Sequence, residues 1–86
     1  MTNSLKAIAD RLKLTREGIG ISAAELCRQI GCKPNRWSQY ESADRKITVE
    51  VADRLCDEYG LTLDWIYRGN PAGLPHGLRM KIRQVA

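Results

Sequence analysis

The run from Ile21 to Glu41, ISAAELCRQIGCKPNRWSQYE, leaves the chain few conformational choices. Ser22 is a good N-cap, Glu25 stands three residues on to close a capping box, and Ile21 is placed to staple onto Leu26. Leu26, Cys27 and Ile30 then form one apolar stripe at helical spacing. Gly31, which takes a positive φ without a Cβ clash, stops the helix directly after it. Pro34 has no N–H and a φ fixed near the helical value, so it fits a first helical position, with Lys33 as the cap and Cys32 as a buried turn residue. The spacing predicts two short helices joined by a tight turn.

At roughly 100° per residue, Trp37 and Tyr40 project together toward the first helix of the pair. Asn35, Ser38 and Gln39 point away, and Arg36 flanks them. Any solvated helix face carries such side chains. They also have a narrower chemical use, because Arg can give two parallel donors to guanine O6 and N7, and Asn or Gln can both donate to and accept from adenine.

The spacing of Ser22, Glu25, Leu26, Gly31, Trp37 and Glu41 resembles the Cro/repressor-type (Xre-like) helix-turn-helix family, and the likeness continues from about Ile8 through Ile66. The resemblance implies an all-α, compact five-helix lambda-repressor-like domain whose second paired helix lies in the major groove of double-stranded DNA. By position it implies base reading by Pro34, Asn35, Arg36 and Gln39, and phosphate contacts from Ser22, Ala23, Lys33, Ser38, Arg45 and Lys46. It implies an internal brace between Arg16 and Glu41, and a homodimer interface after the fourth helix, at Trp65, Ile66, Tyr67 and Leu74. The implied function is that of a bacterial or phage transcriptional regulator, a repressor on an inverted-repeat operator, needing no cofactor. The alternative is the same fold used for protein contact, as an antitoxin or adaptor.

Two departures from the family pattern bear on that choice. Ala23 stands where a polar residue, often Gln, usually meets the DNA backbone, and Pro34 replaces a hydrogen-bonding reader with an apolar surface suited at most to a thymine methyl.

The flanks complete the fold. Ser4 to Glu17, with Leu5, Ile8, Ala9 and Leu12 on one face, predicts a first helix ended by Gly18 and Gly20. After the SADRKI loop, Thr48 caps a fourth helix reaching Tyr59, with Val51, Ala52, Leu55 and Tyr59 inward and Gly60 ending it. Thr62 to Arg68 predicts a fifth, with Leu63 and Ile66 inward. Trp65 and Tyr67 exceed what so small a core needs, which fits a protein contact; a purely intramolecular role fits as well. Residues 1 to 69 thus form the helix-turn-helix domain, and residues 70 to 86 a Gly/Pro connector, with His76 on its surface, and a basic amphipathic tail. In the tail, Leu78, Met80 and Ile82 alternate as in a strand, while Leu78, Lys81, Ile82 and Val85 keep helical spacing; residue propensities favour a short sixth helix.

Composition excludes other classes. Residues 1 to 64 hold ten Lys/Arg and ten Asp/Glu, so the net +4 comes from Arg68, Arg79, Lys81 and Arg83 in a stretch without acids. Lys33, Arg36, Arg45 and Lys46 nevertheless bracket the polar helix, while Asp53, Asp57 and Glu58 gather on a later one; local field of this kind steers docking on phosphate. Cys27, Cys32 and Cys56 are odd in number, lack zinc-site pairing and fall where apolar side chains are needed, so buried or half-buried thiols are expected and a metal is not. One His and no grouping of acid, base and nucleophile argue against an enzyme. An N-terminus charged through its apolar stretch and the lack of a long apolar run point to a cytoplasmic protein without membrane or small-molecule partners. The small core would gain from a partner subunit.

Overall fold

The computed structural model describes residues 4–85 and contains six helices: α1 (Leu5–Ile19), α2 (Ala23–Ile30), α3 (Pro34–Glu41), α4 (Val49–Tyr59), α5 (Leu63–Arg68) and α6 (His76–Val85). Local chemistry sets most of their starts. Ser4, Ser22, Thr48 and Thr62 hold an extended backbone, and each side-chain oxygen accepts from the N–H three residues on, at 3.1, 3.1, 3.3 and 3.0 Å. Each cap satisfies a donor that the helix itself leaves orphaned. Gly31 ends α2 at φ 72°, which lets the Cys32 N–H reach the Cys27 carbonyl at 3.0 Å and turns the chain into α3, where Pro34 is the first residue and Lys33 the cap.

α1 is the platform: α3, α5 and α6 all pack on it, while α2 joins α3 and α4. One core draws on every helix, with Ile8 and Leu12 from α1, Leu26 from α2, Trp37 and Tyr40 from α3, Leu55 from α4, Ile66 from α5 and Ile82 from α6. No described helix is long and apolar enough to cross a membrane.

Several expectations need correction. α1 runs past Glu17, and Gly18 is a buried residue inside it; the chain breaks only at Gly20. A Cβ on Gly18 would lie 2.9 Å from Ile82 Cγ1, so this glycine serves a helix crossing rather than a helix end. The tail is a helix, as its residue propensities favour, with Ile82 buried and Leu78 half-buried. The side chain of Val85, the last residue of the expected stripe, lies outside the described residues, as do residues 1–3 of the N-terminal stretch. His76 begins α6 instead of lying in the connector. Leu5 and Leu63 are exposed, because Ile8 and Leu12 already fill the α1 face and Trp65 and Ile66 take the inward face of α5. Cys32 is half-buried, since the turn holds it at the core's rim, and the Glu25 carboxylate bonds Arg28 and Gln29, leaving the box one-sided.

The residues expected at a dimer interface are mostly internal. Trp65, Ile66 and Leu74 belong to the core, and the Trp65 indole donates to Thr15 Oγ1 at 2.9 Å. Tyr67 is half-buried, and its hydroxyl donates to the Ile47 carbonyl at 2.7 Å, tying α5 to the loop before α4. Trp65 lies in, and Tyr67 packs against, the same core that Leu74 of the Pro71–Leu74 turn and Ile82 of α6 complete.

Candidate nucleic-acid interface

The site is α3 and what holds it. Trp37 and Tyr40 are only 1% and 2% exposed and meet edge to face, their ring centroids 6.1 Å apart. Burying two aromatics on one side of an eight-residue helix fixes its rotation. Pro34, Asn35, Arg36 and Ser38 are consequently exposed, and Gln39 is half-buried. The row is therefore open at its N-terminal turn and partly shaded at Gln39.

A carboxylate clamps the helix end. Glu41 Oε2 accepts from Arg16 Nε at 2.7 Å and from the Trp37 indole at 2.8 Å, and Oε1 accepts from Arg16 Nη2 at 3.2 Å. Arg16 also donates to the Ile21 carbonyl at 3.1 Å, so one guanidinium joins α1, the entry to α2 and the end of α3. Its hydrogen bond to Glu41 holds the guanidinium above its already high ordinary pKa, with burial acting in the opposite sense. Side-chain exposures of 17% and 14% put this pair well out of bulk solvent.

The remaining sequence-derived residues fall around α3. Ala23, Pro34 and Ser38 border a shallow cleft closed by Ser42 and by Lys13 of α1. Lys33 and Arg36 border another with Thr48 and Arg54 of α4. Ser22 accepts from the Glu25 N–H and keeps its own proton to donate. Ala23 is half-buried against the core, a placement that favours a small apolar side chain. Beyond α3 the chain turns at Ala43, in the left-handed region at φ 66°, and the Asp44 and Arg45 N–H groups close on the Gln39 carbonyl at 3.0 and 3.2 Å. Arg45 and Lys46 are exposed there, and Lys46 Nζ lies 5.6 Å from the centre of the Tyr67 ring, a cation–π arrangement that aims it.

Sequence reasoning missed Lys13 and Arg54. A signal for Lys13 does exist: it precedes Arg16 by three residues and shares its face, so pairing Arg16 with Glu41 carries Lys13 to α3 as well. Arg54 donates to the Gly31 carbonyl at 3.4 Å and to Glu50 at 2.9 Å, a contact across α2 and α4 that no local pattern reveals.

Two short helices around a glycine turn, the second anchored by aromatics and flanked by cations, define a DNA-binding helix-turn-helix module. A family model described as a helix-turn-helix domain matches residues 7–65, more than half of the chain, and the chain belongs to that family, consistent with its Cro/repressor-type spacing. The match ends within α5 and leaves α6 outside it. No curated protein and no solved structure matches the chain.

Proposed function

We propose that the protein is a sequence-specific transcriptional regulator of the cytoplasm, a repressor that occupies an inverted-repeat operator as a homodimer. The observation that carries this reading is the exposed row Pro34, Asn35, Arg36 and Ser38, continued by Gln39, held rigid by buried Trp37 and Tyr40. Asn35, Arg36 and Gln39 would read base edges, with Pro34 against a thymine methyl. Ser22, Lys33, Ser38, Arg45, Lys46 and the backbone around Ala23 would grip phosphate and set register. In a two-fold dimer the reading helices would lie about 34 Å apart in successive major grooves. With Trp65, Ile66 and Leu74 internal, pairing would rest on the outer edge of α5, where Leu63 is 37% exposed.

Selection of bound sequences from random duplexes tests the proposal. Enrichment of a palindrome supports it. A single half-site refutes the dimer, and no enrichment at low salt refutes the regulator. That last result would favour the antitoxin or adaptor reading, which Ala23 and Pro34 support by removing polar contacts from the usual interface.

A further inference from the structure

The chain's net positive charge is gathered in residues that α3 does not need. After Asp64 there is no acidic residue, and Arg79 and Arg83 stand one turn apart on α6, both exposed. Neither forms an ion pair among the described residues. Both line a groove of about 460 Å³ whose floor is Trp65, Leu74 and Ile82 and whose wall carries Met80, 41% exposed. No residue of α2 or α3 lines it. Apart from Trp65, the groove's lining lies outside the family match.

We propose that this α5–α6 groove binds an acidic amphipathic segment of a second, different protein. An apolar floor rewards leucine-like side chains, and two guanidiniums one helical turn apart match carboxylates repeating at the same interval. Phosphate backbone would satisfy the arginines and leave Met80, 41% exposed, without cover, so nucleic acid fits the groove less well. A second copy paired two-fold would bring Arg79 and Arg83 against their own equivalents with no acid to separate them. Docking the acidic face of α4 into the groove of another copy would be head to tail and would build open chains of molecules. The proposal is independent of which operator α3 reads.

The test uses the full chain, isotopically labelled, and two synthetic helical peptides with leucine at every third or fourth position, one with glutamates between and one with lysines. The glutamate peptide should bind saturably and shift the Trp65 indole, Leu74 and Met80 resonances. R79E/R83E should weaken it about tenfold and confer binding of the lysine peptide, as reversal of exposed charge pairs requires. Circular dichroism checks that the variant folds, and R79A/R83A supplies a neutral version with intermediate affinity. DNA binding by α3 should be unchanged in both, which separates this surface from the reading helix. Four outcomes overturn the proposal: no binding; equal binding of a leucine-free oligoglutamate; a random duplex shifting the same resonances more strongly than the peptide; or self-association of the chain that R79E/R83E abolishes.

Discussion

Glu41→Gln preserves side-chain volume and removes one charge, and its consequence can be worked out from three hydrogen bonds. The amide oxygen can replace Oε2, which accepts from Arg16 Nε and the Trp37 indole at 2.7 and 2.8 Å. The amide nitrogen then faces Arg16 Nη2, where Oε1 accepts at 3.2 Å, and sets donor against donor. A hydrogen bond to a charged group contributes about 1.5 to 3 kcal/mol, and breaking a fully buried ion pair costs about 3 to 5 kcal/mol. With exposures of 17% and 14%, the pair falls somewhat below the buried limit. The expected loss is about 2 to 4 kcal/mol, or on the order of 10 °C or more in Tm for a chain of this size. Urea and thermal unfolding followed by circular dichroism measure it, and a double-mutant cycle with Arg16→Met isolates the pair. A coupling energy below about 0.5 kcal/mol, the usual margin of additivity for independent sites, would show that the clamp does not hold α3. Because Glu41 bears on the same helix as Asn35 and Arg36, the variant should also lose DNA affinity under conditions where most of it remains folded.

If Asn35, Arg36 or Gln39 reads bases, its replacement by Ala should cost about 1 to 3 kcal/mol on the selected operator and much less on random DNA; gel-shift titrations giving equal losses on both would refute the role. Arg45→Ala and Lys46→Ala should weaken all duplexes alike and flatten the dependence of log K on log salt by nearly one unit for each phosphate released, so an unchanged slope would contradict phosphate binding there. Gly18→Ala puts a methyl 2.9 Å from Ile82 Cγ1, and although alanine favours helix, overpacking should lower stability by about 1 to 3 kcal/mol; a more stable variant would mean that α6 does not cross there. Burial pushes the Cys27 thiol up to about 11, with Cys32 contributing next. A folded-state value raised in this way adds stability that is complete below the ordinary thiol range and is lost as pH climbs toward about 11. Wild type should therefore lose more stability than Cys27→Ala over that alkaline window, and parallel urea midpoints would refute it.

Most of α3 was legible in the sequence because the signals that build it are local. Ser22, Gly31 and Pro34 act within one turn of themselves, and the three-residue interval from Trp37 to Tyr40 sets which side of α3 is buried. The same locality explains the failures. Gly18 reads as a helix end until Ile82, far along the chain, is laid across it. Trp65 and Tyr67 read as surplus to the core until Thr15 and the Ile47 carbonyl, both far along the chain, take their polar groups.

Periodicity, capping and turn chemistry by themselves determined where the first five helices form and which face of α3 carries polar residues, since each depends on neighbours a few residues apart. Only tertiary structure decided that the helical basic tail docks on α1, that Tyr67 aims Lys46 and anchors its loop, and that Lys13 and Arg54 border α3. These are contacts between distant segments, and their outcome depends on how helices compete for one small core, which no window of sequence contains.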